Sequence, residues 1–384
     1  MTKLNVLHLS HTDIGSDSRI LKEMCAIAGM DSEPSVFGIG VKLEEGSSRT
    51  DSVEGIEIHS ITLSTRNWRW LPVMVRHFCS LVELTFKMLR KAVAIKPNVI
   101  HCNDTLVLPL GVLLKLYTGA TLIYDAHELE SDRNGLTVTL GKLTLFVERM
   151  LWRFVDSLIV VSPSIATWYS NNIGSKDTVI ILNSPVLGSK DAKFNKDYLR
   201  NKYQIPSKAK VFLYIGILGE GRGIDLILEA FRRDDVSSHV VFLGYGPLKN
   251  YLSEESRIGT NIHVHDAVPH EDVVSVAKSA DVGLCLIQNV SLSDYYCLPN
   301  KLFEYCFAGL PVLASSFPDI LEVVEKYDLG SCCELNSASI YKAIKLLEDV
   351  GDLSAIDVDE LYDLSWDAQA DKLIKLYARL MIKG

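Results

Sequence analysis

The chain has 384 residues, enough for two domains or one large one, so a single small module is excluded. Hydrophobic residues at 48% and charged residues at 23% exclude a disordered or low-complexity chain. Against 48 Asp and Glu stand 39 Lys and Arg, a net charge of −9 that argues against nucleic-acid binding.

The N-terminal NVLHLS is too short an apolar run for a signal-peptide core and reads as a first strand. No stretch reaches the ~18 apolar residues that span a bilayer, so membrane association has to be peripheral. The eight cysteines include no C-x-x-C and read as reduced, small apolar residues of a cytoplasmic protein, with no metal centre.

Buried-strand candidates fall at 5–10, 35–40, 98–102, 121–126, 157–162 and 178–183, with helical spacing between them at 19–29 and 144–155. A polar tract at 188–208 marks a boundary after Pro185. Strands resume at 210–216, 239–244, 261–266, 281–287 and 311–315. Strand–helix alternation predicts an α/β chain of two Rossmann-like doubly wound parallel-sheet domains, 1–185 and 186–364. In 365–384, Ala370, Leu373, Ile374, Tyr377 and Leu380 predict a last packing helix. Ligands of such sheets bind beyond the carboxyl ends of the strands, and the default site is the cleft between the domains.

The strongest local signal is CLPNKLFEYCFAGLPVLAS (297–315). Pro299 and Asn300 lead into a short helix closed by Gly309, and Lys301 and Glu304 share one face near its start. A helix N-terminus and a lysine suit a diphosphate, and a carboxylate suits a ribose diol. An ordinary capped helix with a surface Lys–Glu pair reads the same segment. YIGILGEGRGIDLILEAF (214–231) gives a Gly-rich turn with Arg222 ahead of a helix. FLGYGPL (242–248) has Gly244 and Gly246, but Lys249 stands where a dinucleotide fingerprint needs its third glycine.

In order and spacing these segments, with TDIGSDSRILKEMCAIAG, YDAHELES (124–131), ERMLWRFVDSLIVVSPSIA (148–166), VHDAVPHEDV (264–273), SADVGL and SW (365–366), resemble the retaining GT-B glycosyltransferases of glycosyltransferase family 4, in its PNKLFEY-containing group. The resemblance covers nearly the whole chain. It implies the GT-B fold and sugar transfer from a nucleoside diphosphate sugar to a glycan or lipid-linked acceptor, with retention, without a metal or other cofactor, in envelope polysaccharide assembly. By position it implies that Glu304 binds the ribose and that Arg222 and Lys301 bind the diphosphate. Asn300, Leu302 and Gly15 offer backbone to the donor, and Gly244, Tyr245, Gly246, Pro247 and Val268 line the base. His127 lies by the donor sugar or the reacting centre, and Arg19, Asp104 and Glu128 are acceptor-side candidates. Asp104 reads equally as a helix N-cap.

Two departures from the family pattern stand out: Tyr296 where many relatives have a glutamate, and Ile217 where many have an arginine. They motivate one alternative, a catalytically silent binding subunit, and the nearest enzyme rival is a GT-B nucleotide-sugar epimerase. Residues 64–96 carry seven Lys or Arg against one Glu, with Trp68 and Trp70 among them. This segment suits an anionic membrane surface on the inner face of the cell membrane, an acidic polysaccharide, or a pair of domain helices with a solvated basic face.

Overall fold

The computed structural model describes residues 4–42, 49–53, 55–186, 193–350 and 356–383. It divides into two compact units, Met1–Ile181 with Ala370–Gly384, and Leu182–Gln369.

The first unit is built on eight strands: β1 (Asn5–Leu9), β2 (Ser35–Val41), β3 (Arg49–Val53), β4 (Ile56–Ile61), β5 (Val99–Asn103), β6 (Thr121–Ala126), β7 (Ser157–Val160) and β8 (Asp177–Ile180). Their order is β3-β4-β2-β1-β5-β6-β7-β8, parallel throughout except for the antiparallel β3–β4 pair. The interleaved helices are α1 (Ser18–Ala28), α2 (Val73–Ile95), α3 (Leu108–Thr118), α4 (Val138–Leu151) and α5 (Pro163–Asn172). Strands β1 and β5 are buried almost throughout, as central parallel strands require, with His8, His101 and Asn103 among their buried residues. Helix α1 starts where the Asp17 carboxylate accepts from the backbone N–H groups of Arg19 and Ile20.

Sequence patterning misses β3 and β4. In β4, I-E-I-H-S-I, buried and half-buried residues alternate at the outset, the signature of a strand near a sheet edge rather than of a wholly buried one. Strand β8 stops at Ile180, short of the expected 183. The basic segment 64–96 is not two helices but a single 3-10 turn, Ser64–Asn67, followed by the one long helix α2. Helix α4 begins at Val138, six residues before the expected start, because the Thr137 side chain caps it.

The second unit has six parallel strands, β9 (Val211–Ile217), β10 (His239–Tyr245), β11 (Ile262–Asp266), β12 (Val282–Cys285), β13 (Val312–Ser315) and β14 (Gly330–Cys333), in the order β11-β10-β9-β12-β13-β14. Its helices are α6 (Tyr198–Tyr203), α7 (Ile224–Phe231), α8 (Lys249–Ile258), α9 (Val273–Ala277), α10 (Leu292–Tyr295), α11 (Asn300–Phe307), α12 (Pro318–Lys326) and α13 (Ser337–Asp349). Helix α14 (Trp366–Lys383) begins in the second unit and ends in the first. Edge strand β14, Gly-Ser-Cys-Cys, is too short and too exposed to show in the sequence. Of the polar tract expected at 188–208, residues 188–192 lie outside the described residues, and the rest carries α6. Phe212, Tyr214, Phe231, Phe242 and Leu284 make one core beneath α7 and α13.

Candidate functional site

In the second unit, one tyrosine sets the position of α11. Strands β9 and β12 pair only at Val282–Phe212 and Gly283–Leu213 and then part. The Tyr305 hydroxyl fills the split: it accepts from Ile215 N (2.8 Å) and donates to Leu213 O (2.8 Å). Its ring lies where a side chain at Gly283 would be, since a Cβ there would stand 2.3 Å from the ring. A glycine in β12 is thereby what lets α11 approach the sheet.

One turn earlier, Lys301 reaches over the Tyr214 ring with Nζ 3.9 Å from its centroid. That Nζ is buried and makes no hydrogen bond. A Cβ on Gly216 would lie 3.9 Å from it. Helix α11 starts at Asn300 itself, with Pro299 in the cap position and no side-chain cap bond, so its first turn keeps N–H groups for a ligand. Glu304 is buried, its Oε1 3.8 Å from Nδ1 of the half-exposed His270. Arg222, in the turn between β9 and α7, has Nη1 3.7 Å from the Asp294 carboxylate.

The register pairs Gly216 with Gly244 where β9 and β10 end. Gly244 (φ +156°) and Gly246 (φ +147°) hold conformations in which a Cβ would meet Gly216 O at 1.9 Å and Leu218 O at 2.4 Å. This bare backbone leaves Tyr245 and Pro247 exposed and Val268 half-buried nearby in the chain order of the strand ends.

The first unit holds a buried ionic cluster. Asp125, fully buried at the end of β6, accepts from Arg19 Nη2 (3.1 Å) and stands 3.3 Å from His127 Nε2 and 3.4 Å from His101 Nε2. Arg19 also meets Glu23 Oε1 (3.1 Å) and donates to Ile181 O (3.0 Å). Both its terminal nitrogens are thus engaged inside the fold, and the buried Arg19 is not exposed to an acceptor. Asp104 has no side-chain cap bond, against the N-cap reading. It faces His11 Nδ1 (3.3 Å) and His127 Nδ1 (3.7 Å). Its φ of +73° is strained for a non-glycine residue. Glu128 is exposed at the turn, and Gly15 is exposed in the 3-10 turn Ile14–Ser16, its N–H donating to Asp13 Oδ1.

Charge divides unequally here. Desolvation opposes both carboxylates, but Arg19 and His127 hold Asp125 well below the usual carboxylate range. Burial first, then the Asp125 charge, pushes Glu23 up to about 8. The His127 imidazole, although desolvated, is raised to about 10 by Asp125 and Asp104 and is a cation at neutral pH. Burial keeps His101 and His8 neutral. The Tyr377 hydroxyl of α14 lies 2.8 Å from His101 Nδ1, so the His101 Nε2–H faces Asp125.

Sequence reasoning missed His8, Glu23, His101 and Tyr377 as members of this cluster. The available signals were histidines inside apolar strand runs and, on α1, Arg19 and Glu23 at i, i+4 on the same buried face as Ile20, Met24 and Ile27.

A prediction follows from the proton on Glu23. Folding takes one up between pH 4.5 and about 8, so wild-type stability declines across that window by about 1.4 kcal/mol per pH unit for a single proton. His127 adds to the decline from 6.5 to about 10 as its favourable charge is lost. Glu23→Gln mimics the neutral acid. Urea unfolding at pH 5 and pH 8 is expected to show a flatter pH dependence and no loss at pH 8. A Gln variant less stable than wild type at pH 8 would mean that Glu23 is ionised against Arg19.

Comparisons with known proteins agree with this architecture. Residues 195–355 match the family model Glycosyl transferases group 1. A chitobiosyldiphosphodolichol beta-mannosyltransferase of Candida albicans is 24% identical over 60% of this chain, a match spanning 54% of that enzyme's length. An uncharacterized glycosyltransferase of Methanocaldococcus jannaschii is 22% identical, covering 90% of this chain and 89% of its own. Among solved structures, a sucrose-phosphate synthase from Thermosynechococcus elongatus superposes with a TM-score of 0.79 at 17% identity, both chains fully covered. Anabaena HepE in complex with UDP superposes at 0.67 with 15% identity, again over both whole chains. The fold is GT-B, and the match to the group 1 glycosyl transferase model falls in the second unit.

Proposed function

We propose that the protein is a retaining glycosyltransferase that moves a sugar from a nucleoside diphosphate sugar to a glycan or lipid-linked acceptor in envelope polysaccharide assembly. It works in the cytoplasm, against an anionic membrane surface engaged through 64–96. The observation that carries this reading is the Lys301 ammonium, buried without a hydrogen bond beside Gly216 in the first turn of an α11 that no side chain caps. A buried cation with an aromatic ring beneath it but no hydrogen bond is costly unless an anion completes it. The solved relative with UDP and the group 1 match support a nucleoside diphosphate as that anion.

In the reaction, the bond from the anomeric carbon to the diphosphate breaks as the acceptor oxygen bonds to that carbon on the same face. The acceptor's proton passes to the departing phosphate oxygen. Negative charge gathers on the diphosphate, and Lys301, Arg222 and the α11 N-terminus stabilise it there in place of a metal ion. Glu304 accepts from the ribose hydroxyls, and the glycine backbone at Gly244–Gly246 admits the base side. His127, a fixed cation, suits a sugar hydroxyl.

Calorimetric titration with UDP, GDP and ADP tests this. One of them is expected to bind the wild type, and Glu304→Ala to bind it about 10- to 100-fold more weakly through loss of a charge-assisted hydrogen bond. With that nucleotide's sugar as donor, Lys301→Ala is expected to lower kcat more than it raises KM. Absence of binding by all three nucleotides would favour the silent subunit that Tyr296 and Ile217 suggest. A new sugar nucleotide formed without acceptor would favour the epimerase.

A further inference from the structure

Most of the large apolar side chains left exposed among the described residues lie between Trp68 and Met150, on neighbouring elements of the first unit. Helix α2 contacts α3, and α3 contacts α4. In α2 the buried residues are Leu84, Met88 and Ala92, and none of its first eleven residues is buried. On its outer side Met74, Phe78, Val82 and Phe86 recur every fourth residue, with Phe78 and Phe86 each 67% exposed. Helix α3 adds Leu113, Leu116 and Tyr117. Helix α4 adds Leu143, Phe146 and Met150.

The exposed charge on these helices has one sign. Helix α3 contains no carboxylate. The one carboxylate of α2, Glu83, pairs with Lys87 and accepts from Thr65. The one carboxylate of α4, Glu148, is buried and accepts from the Tyr124 and Tyr169 hydroxyls (2.7 Å each). Arg66, Arg69 and Arg90 around α2, and Lys142 and Arg149 on α4, are exposed. The tilted pair Trp68–Trp70, ring centroids 6.2 Å apart, precedes α2.

We infer that α2, α3 and α4 together form a docking platform for an anionic lipid bilayer, with the apolar stripes entering the interface and the basic residues meeting lipid headgroups. An acidic polysaccharide or nucleic acid has no use for three apolar stripes. A second copy of this chain, docked through the same face, would set cations against cations. Aromatic and basic residues beside an exposed apolar helix face are what an interfacial segment carries. The platform deepens the membrane reading above and rests on it for the acceptor's lipid anchor alone. It extends the surface from 64–96 to two further helices.

The test is co-sedimentation with phosphatidylcholine vesicles with and without phosphatidylglycerol, using the full chain. The wild type is expected to bind the phosphatidylglycerol vesicles at least tenfold more tightly, with the advantage falling in high salt. Phe78→Ser with Phe86→Ser, and separately Phe146→Ser with Met150→Ser, are each expected to weaken that binding about tenfold or more. Circular dichroism and nucleoside diphosphate titration of each double variant show whether it remains folded and keeps the donor site. Equal binding to both vesicle types would overturn the anionic surface. Unchanged binding by the α4 double variant would overturn the three-helix platform. A wild-type dimer by light scattering that the Phe78 and Phe86 changes dissociate would overturn it in favour of a self-interface. Lipid binding that persists while no nucleotide binds would leave the platform standing and remove the transferase reading alone.

Discussion

Asp125→Ala is expected to destabilise the first unit by about 3–5 kcal/mol, the range for removing one partner from a buried ionic network. Its carboxylate is the common partner of Arg19, His101 and His127, all within 3.4 Å. Without it, Arg19 loses its ionised partner and is left beside Glu23, and His127 keeps only the more distant Asp104. The ionised Asp125 stabilises the native state above the ordinary carboxylate pKa of 3.8, and that contribution disappears as pH falls through its depressed native value. Asp125→Asn keeps the shape and removes the charge, so it separates packing from electrostatics. In the Asn variant the His127 imidazole is expected to titrate well below the wild-type value of about 10, because its largest favourable charge is gone. Histidine NMR across pH 6–10, about the range in which the wild-type ring stays charged, checks this directly. An Asn variant with unchanged His127 titration would show that Asp104 alone holds the ring, and a loss below about 1 kcal/mol in Asp125→Ala would dismantle the cluster as a stabilising unit.

Gly244→Ala is expected to cost about 3 kcal/mol or more and to abolish nucleoside diphosphate binding. Its methyl would stand 1.9 Å from Gly216 O, a backbone atom of the neighbouring strand that no rotamer change can move. The φ of +156° compounds the strain. Relieving the clash means parting β9 from β10, and with them the Tyr214 ring under the Lys301 ammonium. Gly219→Ala, in the Gly-rich turn that follows β9, is the control. Its Cβ would make ordinary contact, 3.6 Å from Ile217, at a backbone conformation open to alanine. Its expected effect is within about 1 kcal/mol. Urea unfolding and UDP titration of the two variants side by side decide the matter, and equal behaviour would show that the strand ends yield.

How much of this the sequence carries differs between the two units. In the second, the chemistry-bearing residues lie in contiguous segments whose local signals are strong. A glycine-rich strand end, a proline-led helix and a lysine one turn ahead of a tyrosine are legible because each feature is set by backbone within a few residues. What the segments do not reveal is that Gly283 clears the space for Tyr305, which depends on two strands that part after two register pairs. In the first unit, His127 is legible from its strand-end context, but its charge is not. That charge comes from Asp104 and Asp125, twenty-three and two residues away in the chain, and Asp104 meets the ring from a backbone of positive φ that the sequence does not announce.

Arg19 shows the same limit from the other side. A basic residue in the first strand–helix loop suggests a ligand contact, yet the amphipathic phase of α1 turns it inward with Glu23, and Asp125 from a strand more than a hundred residues later consumes it. The basic, aromatic character of 64–96 is plain in the sequence, whereas the wider apolar face is not. Leu113 and Leu116 of α3 and Leu143 and Phe146 of α4 are exposed only because of how these helices pack, which their own periodicity does not show.

The sequence by itself determined the two-unit α/β architecture, since strand–helix alternation and apolar run length are local consequences of burial on both sheet faces. It also determined the chemical types gathered at the strand ends. Tertiary structure alone decided which ionisable groups are charged, because protonation depends on desolvation and on neighbours brought from distant segments. It likewise decided which apolar residues meet solvent, because that depends on what each helix packs against rather than on its own periodicity.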